Sequence, residues 1–113
     1  MADCVFCKIA AGEIPADKVY EDGGVVAFRD ISPQAPTHII IIPRAHIESA
    51  ADISEDSAHL AAECFAAIAR IAKSERLEGG FRVITNAGAD AGQTVGHLHF
   101  HLLGGVKMGE GLI

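Results

Sequence analysis

His97-Leu98-His99-Phe100-His101-Leu102-Leu103 is the stretch on which the reading of this chain turns. Residues of a β-strand point alternately to opposite faces, so His97, His99 and His101 share one face while Leu98, Phe100 and Leu102 share the other. The apolar face belongs against a core. Half of the six histidines fall within these five positions, which points to a site rather than a solvated face. Two chemistries stay open on the residues alone. Alternate strand histidines can share a metal ion. A neutral imidazole can instead act as a nucleophile near pH 7, with its two nitrogens given separate tasks. Directly upstream, the loop Asn86-Ala87-Gly88-Ala89-Asp90-Ala91-Gly92-Gln93-Thr94 sets glycines beside an amide and a hydroxyl. Backbone N–H groups in such a loop can hold an anion without lysine.

The elements around this strand follow from spacing and turn chemistry. Apolar residues at Val5, Phe6, Ile9 and Ala10 predict a short helix over 4–11, ended by Gly12. Ile14-Pro15 is extended, since the residue before proline avoids the α region. A strand over 19–21, the turn Asp22-Gly23-Gly24 and a strand over 25–30 predict a hairpin. The two prolines of Ser32-Pro33-Gln34-Ala35-Pro36 make it a loop. His38–Ile42 reads as a central strand buried on both faces and stopped by Pro43. Ser54 is an N-cap signal, with Glu55 and Asp56 favoured by the dipole of a helix running to about Glu75. Leu60, Cys64, Ile68 and Ile71, with Phe65 and Ala72 alongside, form its apolar stripe. Gly79-Gly80 breaks the chain before a strand over 81–85. The expectation is an α+β domain over 1–113: a meander of about five antiparallel strands around one long helix, with one short helix.

Composition narrows the function classes. The 113 residues suit one domain, and 9 basic against 15 acidic residues give a net charge of −6. With half the residues apolar, 19 of them alanine, the chain is not of a disordered class. An acidic chain without a basic cluster argues against DNA or RNA as partner. The longest run of large apolar residues, Ile39–Ile42, is far short of the ~20 that cross a bilayer, so no membrane partner is expected. Met1-Ala2-Asp3-Cys4 opens no signal peptide, and three cysteines make an odd count, so a reducing cytoplasm is the expected location.

The His-x-His-x-His pattern resembles the signature of the histidine triad (HIT) superfamily. The wider chain is similar to its branch of small nucleotide-binding nucleoside phosphoramidases. The stretches that carry the resemblance are Gly12-Glu13-Ile14-Pro15-Ala16, Phe28–His38, Gly92-Gln93-Thr94-Val95 and Leu103-Gly104-Gly105, in order along nearly the whole chain. The resemblance implies a HIT-like fold and a hydrolase acting at the α-phosphate of a purine nucleotide, with no cofactor for catalysis. It makes His99 the nucleophile of a nucleotidyl-histidine intermediate. His101 would contact the α-phosphate and help protonate the leaving group, and His38 would support His99 from behind. Asn86, Gly92, Gln93, Thr94 and Val95 would surround the phosphate and leaving group. Asp30 would hold the ribose hydroxyls, and Ile31, Phe6, Ile9 and Phe28 would line the base pocket. A dinucleoside polyphosphate hydrolase, or a nucleotide-sensing module with incidental catalysis, are the rival functions. Gly96 departs from the pattern, standing where relatives commonly carry an aromatic, and the tail Met108–Ile113 has no tryptophan.

Two further expectations concern metal and assembly. Cys4-x-x-Cys7 is half of a tetrahedral zinc site, though cysteines at this spacing also pack as small hydrophobes. The resemblance implies that His46 and His97 complete the set around a structural zinc. It also implies a two-fold homodimer through the helix 54–75 and the strand 81–85, joining two sheets into one. Phe65 and Ile68 give that helix more apolar surface than one sheet face covers.

Overall fold

In the computed structural model, which describes residues 3–111, five strands form one antiparallel sheet in the order β1-β2-β3-β5-β4. The order along the chain is helix α1 (Val5–Ala10), strands β1 (Lys18–Glu21), β2 (Val25–Arg29) and β3 (Thr37–Pro43), helix α2 (Ala58–Ser74), then β4 (Phe81–Ile84) and β5 (Phe100–Gly104). The α+β class, the five strands and the two helices are as the sequence led us to expect. The ends of the 1–113 span, including the last two residues of the tail, lie outside the described residues.

Strand alternation builds two cores. Val25, Ala27, Ile39, Ile41, Phe100 and Leu102 face α2, where Cys64, Ala67, Ile68 and Ile71 cover them. Val26, Phe28, Ile40 and Ile42 face the other way and pack on Phe6 and Ile9 of α1. β3 is therefore buried on both faces, which explains its β-branched run.

Several details differ from the sequence reading. The meander is interrupted, because β5 inserts between β3 and β4 and leaves β4 at the edge. The long connection through α2 makes this feasible: it carries the chain past the vacant side of β3. α2 begins at Ala58 rather than at Ser54; the Ser54 N–H donates to Ser57 Oγ at 3.0 Å, spending these residues on a local turn. Ile68 is 2% exposed and belongs to the core, so the surplus apolar surface of α2 is Phe65, 51% exposed. β5 starts at Phe100, not His97. The ladder with β3 ends at Ile41↔Phe100. Beyond it β3 reaches Pro43, which has no N–H to offer a partner strand.

Candidate active site

The alternation of His97–Leu102 survives the early end of the ladder. Leu98, Phe100 and Leu102 are in the α2 core, while the rings of His97 and His99 meet Phe6 of α1 edge-on at 6.0 and 5.1 Å. All three triad histidines, and His38, are withdrawn from solvent to different degrees. His97 is 0% exposed and His99 and His38 are each 6% exposed.

Hydrogen bonds to backbone groups fix the proton positions. His99 Nδ1 lies 2.7 Å from the carbonyl oxygen of His97. A carbonyl only accepts, so Nδ1 carries the hydrogen and Nε2 of neutral His99 keeps its lone pair. Its own carbonyl accepts from Thr85 Oγ1 at 2.7 Å. Sequence reading missed Thr85; the signal available was a hydroxyl at the end of β4, one residue before the glycine-rich loop.

A second chain of bonds reaches His101. The Gln34 N–H donates to His38 Nδ1 at 3.0 Å, so neutral His38 carries its hydrogen on Nε2. That Nε2–H faces His101 Nδ1 at 2.9 Å and, at 3.4 Å, Asp30 Oδ2. His101 is thereby left with its hydrogen on Nε2. Adjacent triad members thus present opposite groups, a bare nitrogen on His99 and an N–H on His101. Burial, with His99 and His38 adding to it, holds His101 below the ordinary histidine range and keeps it neutral near pH 7. His38 backs His101, not His99 as the sequence suggested. The register explains why: His38 pairs with Leu103 and Ile40 with His101, so His101 is its diagonal neighbour and His99 lies two residues further on.

Cys4, Cys7, His46 and His97 form a second cluster whose ligand atoms all lie within 4.8 Å of one another. His97 Nδ1 is 3.3 Å from Cys4 Sγ and 3.5 Å from Cys7 Sγ, and His46 Nδ1 is 3.2 Å from Cys7 Sγ. The donor set fits a metal ion. His97 Nε2–H donates to the Pro43 carbonyl at 2.9 Å, which frees Nδ1 as a ligand atom. His46 Nε2 points to Glu48 Oε2 at 3.7 Å, the carboxylate backing that metal-binding imidazoles commonly have. Burial, and then Cys4, push the Cys7 thiol up to about 11. Asp30, His38 and His101 are also close enough to share an ion. There the chemistry does not fit: the Gln34 N–H occupies His38 Nδ1 and forces a hydrogen onto the nitrogen that an ion would need. One cluster has the donors a metal ion needs, and the other is committed to holding hydrogens.

A cavity of about 300 Å³ lies beside α1, walled by Phe6, Ile9, Ile14, Phe28 and Ile31, with Asp30 at its rim. It gathers every residue expected of a base pocket. Ile14 and Ile40 are additions that sequence reading assigned elsewhere. Ile31, at the edge of this cavity, is 99% exposed, a large apolar side chain presented to solvent. In the upstream loop, Gly88 and Gly92 adopt φ of +87° and +79°, which suits glycine. Gln93 staples this loop: Nε2 donates to the carbonyls of Glu48 at 2.8 Å and Val95 at 3.0 Å, and Oε1 accepts from the Gly88 N–H at 2.8 Å. Its amide is committed to the loop and to the Glu48 carbonyl that anchors it. Thr94 is exposed and Asn86 partly so. Thr94, Val95 and Gly96 line a neighbouring cleft with His46 and Glu48.

A histidine-rich segment behind a glycine loop, opposite an apolar pocket with a carboxylate rim, matches a known family. The HIT domain family model matches residues 11–108. This chain belongs to the HIT family. Among its relatives, protein HitA of Neisseria gonorrhoeae is 45% identical over 104 residues, 92% of this chain and 97% of the relative. The purine nucleoside phosphoramidase of Escherichia coli K12 is 46% identical over 108 residues, 95% of this chain and 91% of the relative. A HIT family hydrolase from Clostridium thermocellum superposes with a TM-score of 0.97 at 46% identity, covering 100% of this chain and 99% of that one. A histidine triad protein from Clostridium difficile gives a TM-score of 0.95 at 46% identity, covering 99% and 98%. The HIT fold expected from the sequence is the fold observed. No helix among the described residues is long and apolar enough to cross a membrane.

Proposed function

We propose that this HIT protein hydrolyses purine nucleoside 5′-phosphoramidates at the α-phosphate, through a nucleotidyl-His99 intermediate. The observation that carries this reading is the bond from His99 Nδ1–H to the His97 carbonyl at 2.7 Å, which dedicates Nε2 to attack. The similarity to a purine nucleoside phosphoramidase supports the substrate class. The base enters the cavity between Phe6 and Phe28, and Asp30 takes the ribose hydroxyls. Loop N–H groups and Thr94 hold the phosphate, with Asn86, Gly92 and Val95 shaping that side. His99 Nε2 attacks phosphorus as the P–N bond breaks, and the amine leaves having taken its proton from solvent water. Charge gained by the imidazole strengthens its bond to the His97 carbonyl. Water then cleaves the nucleotidyl-histidine, giving the nucleoside monophosphate and free His99.

His101 acts as a neutral donor to a phosphoryl oxygen, where charge accumulates. A second proton on His101 would sit on Nδ1, against the His38 Nε2–H, which disfavours the role of general acid.

The Cys4, Cys7, His46 and His97 cluster holds a structural zinc, and catalysis itself uses no cofactor. Thiol ligands of this kind accord with a reducing, cytoplasmic location. The protein works as a homodimer: the edge strand β4 and exposed Phe65 and Phe81, 51% and 45% exposed, supply the surface.

The test is turnover of an adenosine phosphoramidate beside a diadenosine polyphosphate, with acid-quenched protein mapped by mass spectrometry. The phosphoramidate should be the better substrate, and an AMP adduct should map to His99. His99→Ala should lose at least ~10⁴-fold in kcat yet keep AMP binding. An active His99→Ala protein, or an adduct on His97 or His101, overturns the assignment. Sedimentation giving only an 11.8 kDa species at micromolar concentration overturns the dimer.

A further inference from the structure

We infer that the metal cluster sets the aim of the His99 imidazole, with His97 and Phe6 as the positioning residues that connect the two. This inference rests on the reading that His99 attacks phosphorus and that the cluster holds zinc.

His97 faces both ways. Its Nδ1 lies among the cysteine sulfurs at 3.3 and 3.5 Å, while its carbonyl oxygen receives the His99 Nδ1–H at 2.7 Å. That carbonyl belongs to the peptide unit between His97 and Leu98, which lies ahead of β5 and outside the sheet ladder. The far side of the same unit, the Leu98 N–H, donates to the Ile47 carbonyl at 2.7 Å. Ile47 follows His46, another member of the cluster, in a segment with no regular structure. The peptide that fixes the nucleophile is therefore hung between two ligand residues, His97 on one side and the His46-Ile47 segment on the other.

The imidazole has a third support. Phe6 meets the His99 ring edge-on at 5.1 Å and an interplanar angle of 80°, and also packs against Phe28 at 5.6 Å. Phe6 sits between Cys4 and Cys7 in α1, a helix of six residues. A helix so short is not stable by itself. Its first turn is tied by its own thiols, with the Cys7 N–H donating to Cys4 Sγ at 3.2 Å. With the metal removed, the hydrogen-bond acceptor, its anchor and the ring beneath the nucleophile all lose their common brace. Asp30 and Ile40 keep theirs, since the Asp30 N–H donates to the His38 carbonyl and both His38 and Ile40 belong to β3. Misplacement of a reacting group by about 1 Å costs on the order of 10²-fold in rate, so the loss belongs in kcat.

The test compares zinc-loaded wild type, chelator-stripped wild type and His46→Asn, using AMP as the binding probe and ¹⁵N-histidine NMR as the structural readout. Loaded protein should show His99 in one neutral tautomer with hydrogen on Nδ1. Stripped protein and His46→Asn should show averaged His99 nitrogens and about 10- to 100-fold lower kcat, with AMP affinity, which also draws on Phe6, falling by less than kcat does. Zinc added back to the stripped wild type should restore both. Linkage is reciprocal, so AMP should shift the visible spectrum of cobalt-substituted, fully folded protein. That arm decides by itself if stripping unfolds the chain. Unchanged His99 resonances and kcat on stripping, or a cobalt spectrum blind to AMP in a protein that unfolds when stripped, overturns the inference. Wild type that binds no zinc overturns the metal reading instead, and an active His99→Ala protein the catalytic one.

Discussion

His38 Nε2 lies 2.9 Å from His101 Nδ1, and the direction of the hydrogen between them is decided by the Gln34 N–H on the opposite side of the His38 ring. A loop amide thereby dictates which nitrogen of His101, on another strand, carries a hydrogen into the site.

Removing that ring tests the chain of bonds. His38→Ala should leave His101 Nδ1 without its partner, at a cost of about 1–3 kcal/mol for a buried unsatisfied group, while the Gln34 N–H, on an exposed residue, turns to water. With its tautomer released, His101 should lose part of its donor role, and kcat should fall about 10- to 100-fold. Urea unfolding and steady-state kinetics on the phosphoramidate check both. Unaltered kcat would show that His101 needs no backing.

Acid should weaken the fold through His101. Its folded pKa lies below the ordinary 6.5, because burial and the neighbouring histidines disfavour the charged form. Between that depressed value and about 6.5 the unfolded chain binds more protons, so stability rises with pH and is complete above about 6.5. Stability is lost as pH falls through the folded value. Unfolding free energies measured across this window should drop more steeply for wild type than for His101→Asn. Parallel curves would remove His101 from the account.

Gln93 should prove to be a loop staple. Gln93→Ala deletes two bonds donated by Nε2 and one accepted by Oε1. Each neutral bond is worth about 1 kcal/mol, so kcat/KM should fall about 10-fold or more through disorder of the phosphate loop. Gln93→Glu should be worse, because it sets a carboxylate against the carbonyls of Glu48 and Val95. A Glu variant equal to wild type in kcat/KM would contradict this role.

Ile31 separates binding from folding. At 99% exposure it contributes nothing to the core, so Ile31→Ser should change unfolding stability by no more than about 0.5 kcal/mol. If the side chain covers a base, KM should rise about 10- to 100-fold, the ~1.5–3 kcal/mol of a buried aliphatic side chain, with kcat unchanged. A KM equal to wild type would take Ile31 out of the pocket.

The sequence by itself determined the elements whose signal is local. Period-two alternation over 97–103, the Asp22-Gly23-Gly24 turn and the apolar stripe from Cys64 to Ile71 each report a backbone choice made within a few residues. They located five strands and two helices, and placed the triad side chains on one face. Residue chemistry also marked Cys4, Cys7 and the glycine loop as candidate sites, because thiols, imidazoles and glycines carry their chemical capacity in their own atoms. What the tertiary structure alone decided is which partner each atom meets. Antiparallel register set His38 on His101 rather than His99, insertion of β5 put β4 at the edge, and Pro43 ended the ladder three residues before the strand pattern does. The proton positions on His38, His99 and His101 belong to this second class. They depend on the Gln34 N–H and the His97 carbonyl, groups that every residue possesses and that only long-range geometry can aim.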